Sequence, residues 1–143
     1  MMIEQAFVIE DFMTYNVVTV DVSDSVYEAA RKMLDSNVGC VVAMDKGEVM
    51  GIVTKGDILR NSLLKLLDPK ATKVESIMTH PFVTIDAGAS LEDAADLMSK
   101  KQVSKLPVLQ DGVLIGIITA TDIIRVEPEY VKYLKGLSEA RPQ

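Results

Sequence analysis

The sequence contains one cysteine, Cys40, one histidine, His80, and no tryptophan among its 143 residues. A single cysteine excludes an internal disulfide, and one cysteine with one histidine leaves too few ligands for the usual zinc sites. Cys-His or Ser-His-Asp catalysis would depend on His80, which precedes Pro81 with no motif around it. With no nucleophile beside a base and no glycine-rich phosphate loop, the sequence predicts neither an enzyme nor a catalytic cofactor.

Basic residues are also scarce, because 15 Lys and Arg oppose 21 Asp and Glu and give a net charge of −6. This balance excludes nucleic acid as the main ligand, since binding a duplex depends on neutralising its phosphates. The longest apolar runs, such as residues 113–118, are far shorter than the ~18 residues that span a bilayer. Residues 1–4 lack the basic and apolar regions of an export signal. We therefore expect no membrane association and a cytoplasmic location.

An internal repeat dominates the sequence. Residues 9–60 align with residues 74–125 at a constant shift of 65 positions and without a gap. The matches include Met13-Thr14 with Met78-Thr79, a pair of alanines, and a Gly-x-x-Thr-x-x-Asp motif. The chain is therefore predicted to be two copies of one supersecondary unit. We expect a first repeat at residues 9–67, a linker at 68–73, a second repeat at 74–126, and a C-terminal helix and tail at 127–143.

Each repeat is predicted to contain a strand, a helix, a hairpin and a second helix. Ser25 and Ser90 each precede an acidic residue by three positions, which is typical of a helix start. The first helix then carries an apolar stripe that runs from Val26 to Leu34. We expect strands at residues 17–20 and 82–85, hairpins at 41–53 and 106–118, and second helices at about 55–67 and 121–126. The fold class is therefore α+β, with two β-α-β-β-α repeats packed around a pseudo-twofold axis, because one repeat alone buries little apolar surface.

These elements resemble the paired cystathionine-beta-synthase (CBS) domains, or Bateman modules. The Met-Thr lead-in, the paired alanines, the strand at residues 103–108 and both Gly-x-x-Thr-x-x-Asp motifs carry the resemblance. It implies a regulatory module that binds an adenosine-containing ligand (AMP, ADP, ATP or an S-adenosyl compound) in the cleft between the repeats. It also implies a homodimer whose output passes through a partner protein. The alternative is a ligand-free dimerisation module, against which the intact Thr and Asp of both copies count.

Two Thr-Asp pairs are the main candidate ligand residues: Thr54 with Asp57, and Thr119 with Asp122. A carboxylate can accept both hydroxyls of a ribose, while a hydroxyl and the amides of a helix N-terminus suit phosphate. The same spacing is that of a capping box, which a single copy would favour. Its recurrence in both copies, together with the resemblance, favours a ligand role. Because a helix start is exposed, we expect replacement of either Asp to weaken binding and leave the fold intact.

The resemblance groups the Thr and Asp of one repeat with the strand starts of the other. The Thr54/Asp57 pocket would be lined by Phe82, Val83, Val103, Ser104 and Lys105. The Thr119/Asp122 pocket would be lined by Val17, Val18, Val38, Gly39 and Cys40. Pro107 is a further expected ligand residue, and Val42 replaces it in the first repeat. Since only Lys105 supplies a cation, we expect its pocket to bind phosphate better and to be more sensitive to salt.

Overall fold

The computed structural model describes residues 7–79, 82–134 and 137, and the chain divides into two compact units. The first-repeat unit is residues 16–82, and the second-repeat unit combines residues 1–15 with residues 83–143. Each unit has a three-stranded sheet with helices, which confirms the predicted α+β class and its two repeats. His80 and Pro81 lie outside the described residues.

The two units share one order of elements. The first-repeat unit contains β1 (Thr19–Asp21), α1 (Val26–Ser36), β2 (Cys40–Asp45), β3 (Glu48–Thr54) and α2 (Lys55–Ile58), which continues as a π-helical turn, Leu59–Leu63. The second-repeat unit contains β4 (Ile85–Asp86), α3 (Leu91–Lys101), β5 (Lys105–Gln110), β6 (Val113–Thr119), α4 (Ala120–Val126) and α5 (Val131–Leu134). In each sheet the middle strand is parallel to the first strand and antiparallel to the third. The outer strands β1 and β4 begin later than predicted, and the second helix of the first repeat ends earlier, at Leu63.

Local chemistry accounts for the starts of the helices and for the hairpin turns. The hydroxyl of Ser25 accepts the amide of Glu28, and that of Ser90 accepts the amide of Asp93. Each hairpin turns through two residues with positive φ, +50° and +85° at Lys46-Gly47 and +51° and +80° at Asp111-Gly112. Two successive positive φ angles define the tight turn that matches the twist of paired strands, and glycine adopts them without a steric penalty.

Each unit has its own hydrophobic core. In the first-repeat unit, α1 buries Val26, Ala29 and Met33 against the sheet, and in the second-repeat unit α3 does the same with a matching set. Leu34 departs from the predicted stripe, because the residue is 77% exposed. The core residues that repeat at the 65-residue shift include Val26 and Leu91, Ala29 and Ala94, Met33 and Met98, Val41 and Leu106, and Val53 and Ile118.

The helical faces of the two units differ in what covers them. In the second-repeat unit the C-terminal segment packs on α3 and α4, and Leu134 and Leu137 are buried in the core. Burial there, with the charge of Glu92 adding to it, raises the pKa of Tyr130. In the first-repeat unit five leucines on and after the helices are at least half exposed. We call this set the leucine face: Leu34, Leu59, Leu63, Leu64 and Leu66.

Candidate functional site

Each predicted Thr-Asp pair forms a complete capping box where the third strand of its sheet meets the following helix. The Oγ1 of Thr54 accepts the amide of Asp57 at 3.1 Å, and Oδ2 of Asp57 accepts the amide of Thr54 at 2.9 Å. Thr119 and Asp122 make the same two bonds at the same distances. The capping interpretation is therefore correct as a statement of local structure, and it fixes the carboxylates at equivalent positions.

Asp57 is held more tightly than a capping box requires. Its Oδ2 also accepts the hydroxyl of Thr79 at 2.8 Å, and its Oδ1 lies 3.4 Å from Nη2 of Arg60. Only 5% of the residue is exposed. The expectation of an exposed helix start is therefore wrong for Asp57, because Thr79, near the start of the second repeat, contacts this carboxylate.

Asp122 is more open. Its side chain is 16% exposed against 7% for Asp57. The guanidinium of Arg125 lies 3.8 Å from its Oδ1, which is an ion-pair distance and not a hydrogen bond. Arg60 and Arg125 therefore act as ion-pair partners of the two carboxylates, and Arg60 makes the closer contact.

The Met-Thr segments near the start of the repeats, residues 13–14 and 78–79, pair through their backbone with the third strands. The amide of Thr79 donates to the carbonyl of Ile52 at 2.8 Å, and that of Thr14 donates to the carbonyl of Ile117 at 2.9 Å. A Cβ added at Gly116 would lie 2.5 Å from the sulfur of Met13 and 2.9 Å from the carbonyl oxygen of Thr14. The motif glycine is therefore needed for this close approach. Thr79 is a site residue that sequence reasoning missed, and the repeated Met-Thr pair was the signal that could have found it.

The sheet registers place the start of each middle strand beside the Thr of the same repeat. Cys40 pairs in register with Thr54, and Lys105 pairs with Thr119. The carbonyl of Ser104 accepts the amide of Ala120 at 2.8 Å. In the first-repeat unit the carbonyl of Gly39 accepts the amide of Lys55 at 3.1 Å. Each unit thus brings together a Thr-Asp pair and its own strand start.

The remaining predicted lining residues are half-buried and flank the same strands. Val38 and Val103 follow α1 and α3 directly, before the middle strands begin. The other four precede the first strand of each sheet: Val17, Val18, Phe82 and Val83. Their grouping with the Thr-Asp pair of the other repeat stays a prediction.

Pro107 changes the edge of its sheet. In the first-repeat unit the amide of Val42 donates to the carbonyl of Val18 at 3.0 Å. Pro107 occupies the position equivalent to Val42 and has no N–H, so it cannot donate to the carbonyl of Val83. This explains why β4 has two residues and β1 has three. The carbonyl of Val83 therefore receives no hydrogen bond from residue 107 of the neighbouring strand.

The described residues offer neither a cluster of metal ligands nor a membrane-spanning helix. Residues 7–79, 82–134 and 137 contain no group of three or more His, Cys, Asp or Glu side chains that could hold a metal ion. Within the same ranges, every helix is too short or too polar to cross a membrane.

A sequence profile of the CBS domain matches the chain twice, over residues 9–64 and 74–129. The chain belongs to the CBS-domain family. Among its relatives, the uncharacterized protein MJ0450 of Methanocaldococcus jannaschii is 34% identical over 124 residues, which are 85% of this chain and 66% of that protein.

Solved structures of CBS proteins match the chain closely. The crystal structure of CBSX2 in complex with AMP is 31% identical and aligns with a TM-score of 0.69, covering 86% of this chain and 97% of the other. A hexameric CBS-CP12 protein from bloom-forming cyanobacteria is 28% identical, with a TM-score of 0.77, and the match covers 90% of this chain and 75% of that one. These matches confirm that the chain is a CBS pair.

Proposed function

We propose that this CBS pair is a regulatory sensor that binds an adenosine-containing ligand through its Thr-Asp pairs and signals through a partner protein. The observation that carries the proposal is the placement of a fixed carboxylate and a hydroxyl at the end of the third strand in both repeats. The AMP complex of CBSX2, a relative in fold and sequence, supports an adenine nucleotide as the ligand. Nothing in the sequence supports catalysis, and we propose a regulatory role without a catalytic cofactor.

The geometry suits the parts of an adenosine phosphate. The hydroxyls of Thr54 and Thr119 each accept one amide bond and keep a proton that can be donated to a phosphate oxygen. The carboxylates of Asp57 and Asp122 are acceptors for the ribose diol. The carbonyl of Val83, which Pro107 leaves without its ladder donor, is an acceptor suited to the exocyclic amine of adenine.

The position of Lys105 decides which Thr-Asp pair benefits from its charge. The resemblance predicts that Lys105 serves Thr54 and Asp57, whereas the register places it beside Thr119 of its own repeat. A double-mutant cycle separates these assignments: Lys105→Met is combined with Asp57→Ala and, separately, with Asp122→Ala. The change in AMP affinity caused by Lys105→Met is measured by calorimetry at low and high salt. If Lys105 serves the Asp57 site, the effect of Lys105→Met persists in Asp122→Ala and vanishes in Asp57→Ala. If Lys105 serves the Asp122 site, the effect persists in Asp57→Ala and vanishes in Asp122→Ala.

A calorimetric panel tests the proposed ligand class. We expect at least one of AMP, ADP, ATP, S-adenosylmethionine and methylthioadenosine to bind the wild-type chain. Loss of a charge-assisted hydrogen bond costs about 1.5–3 kcal/mol, so replacing the Asp of an occupied site should weaken binding about 10- to 150-fold. No binding by any of the five compounds would overturn the proposal.

The complete capping boxes support a second candidate, a ligand-free dimerisation module. In that case the Thr-Asp pairs serve only to start α2 and α4. Replacement of either Asp would then lower the melting temperature, and none of the five compounds would raise it. Because replacement of either Asp lowers stability in both cases, it is the binding of the five compounds that discriminates the two functions.

We also propose that the protein assembles as a homodimer through the leucine face of the first-repeat unit. The internal repeat provides the argument, because Leu59 and Ile124 are equivalent at the 65-residue shift. Ile124 packs with the core of the second-repeat unit, as does Tyr130 of the C-terminal segment, whereas Leu59 is 52% exposed. A second copy of the chain would give the leucine face the apolar cover that its counterpart already has. The hexameric CBS-CP12 relative supports self-association in this fold.

A further inference from the structure

The two candidate carboxylates differ in how many acceptor positions are already used. In Asp57, Oδ2 accepts two donors, the amide of Thr54 at 2.9 Å and the hydroxyl of Thr79 at 2.8 Å. A carboxylate oxygen has two lone pairs, so this oxygen is fully used. Among the described residues, the other oxygen, Oδ1, has only the guanidinium of Arg60 as a partner, at 3.4 Å. Asp57 therefore offers a new ligand one oxygen.

Within the described ranges, Asp122 has no second donor on its Oδ2. This oxygen accepts the amide of Thr119 at 2.9 Å. The residue equivalent to Thr79 is Thr14, whose backbone pairs with Ile117 as that of Thr79 pairs with Ile52. Across the part of the chain that the structure describes, no hydrogen bond joins the Thr14 hydroxyl to Asp122. Asp122 therefore keeps an acceptor position on each of its two oxygens.

We infer that Thr79 determines how many hydroxyls of a ribose Asp57 binds. The 2′- and 3′-hydroxyls of a ribose are neighbouring donors, and a carboxylate binds both when each of its oxygens has a free lone pair. Asp122 meets this condition and binds the diol through both oxygens. Asp57 does not, because the hydroxyl of Thr79 occupies the second position, and it binds a single hydroxyl. The inference rests on the proposed function, since it assumes an adenosine ligand at these carboxylates.

Discrimination between AMP and 2′-deoxy-AMP measures this difference. The variant Asp122→Ala isolates the Asp57 site, and Asp57→Ala isolates the Asp122 site. We expect the Asp122 site to prefer AMP by about tenfold or more, which is the value of one hydrogen bond to a charged group. The Asp57 site should prefer AMP by less than about threefold. A tenfold preference at the Asp57 site with Thr79 intact would overturn the inference.

Substitution of Thr79 provides the direct test. Thr79→Ala removes the donor and leaves space beside Oδ2, so in the Asp122→Ala background the preference for AMP should rise to about tenfold. Thr79→Ser keeps a hydroxyl and should leave the preference low. Thr14→Ala in the Asp57→Ala background is the matched control, and we expect no change there. A purely structural role for Thr79 would weaken both nucleotides equally and leave the ratio unchanged.

The outcomes separate the inference from the function on which it rests. An AMP preference at the Asp57 site that Thr79→Ala does not change overturns the inference alone. An Asp57 site that binds AMP only after Thr79→Ala supports it, and one that binds in neither case contradicts it. Failure of the wild-type chain to bind AMP or any other adenosine compound overturns the proposed function, and the inference with it. If Thr79→Ala does not fold, the comparison of the two single Asp variants decides the question.

Discussion

The unequal surroundings of the two carboxylates predict unequal effects on stability when each is removed. Asp57→Ala takes away the acceptor of two hydrogen bonds, to the amide of Thr54 and to the hydroxyl of Thr79. Each hydrogen bond to a charged group contributes about 1.5–3 kcal/mol. We take the low end, because water can reach the freed groups. The ion pair with Arg60, whose side chain is 39% exposed, adds little after screening. The expected loss is about 3 kcal/mol.

Asp122→Ala is the matched control, because among the described contacts it removes the capping bond to Thr119 and a distant ion pair. Its expected cost is about 1.5 kcal/mol. Urea unfolding followed by circular dichroism gives both free energies of unfolding. Thr79→Ala should destabilise the wild type and cost much less in the Asp57→Ala background, since the two residues share one bond. Equal losses for the two Asp variants, or additive losses for Asp57→Ala and Thr79→Ala, would refute this reasoning.

Two further predictions concern the close approach of the Met-Thr segment and the leucine face. Gly116→Ala should destabilise the protein by about 1–3 kcal/mol, because its Cβ would meet the sulfur of Met13 and the carbonyl oxygen of Thr14. Gly39→Ala is the control, with no atom within 4 Å of the added Cβ, and the same denaturation curves should show no such loss. For assembly, sedimentation equilibrium at tens of micromolar should show a dimer that Leu63→Asp dissociates. Val113→Asp, at a hairpin residue that is 61% exposed, should leave the dimer intact. A monomeric wild type, or a dimer insensitive to Leu63→Asp, would contradict the assignment of the interface.

Elements set by local sequence were predictable in type and order. The helix starts at Ser25 and Ser90 and the turns at Gly47 and Gly112 depend on residues that are close in sequence. The structure has these helix starts as predicted, and the turns lie within the predicted hairpins. Because the sequence repeats, the same order of strands and helices was predicted for both units. The π-helical turn at Leu59–Leu63, with which the second helix ends, has no such local signature.

The surroundings of the candidate site depended on contacts between distant residues. Asp57 and Thr79 are separated by 22 positions, and no spacing rule connects them. For the same reason the sequence predicted an exposed Asp57, although it is buried and in contact with Thr79. Pro107 was recognised as a departure between the repeats, but its effect on β4 requires the register with the neighbouring strand. Leu34 matched the helical stripe and is nevertheless exposed, because periodicity identifies a face and not what covers it.

Calorimetric titration of AMP into four proteins tests the central claim most directly. The four are the wild type, Asp57→Ala, Asp122→Ala and the double variant, each at a temperature below its own melting transition. The account predicts that the wild type binds AMP and that each single variant has an AMP affinity about 10- to 150-fold weaker at one of the sites. In the double variant, the affinity is weakened at both sites. Unchanged AMP affinity in the folded double variant would contradict the account and leave Asp57 and Asp122 as helix caps alone.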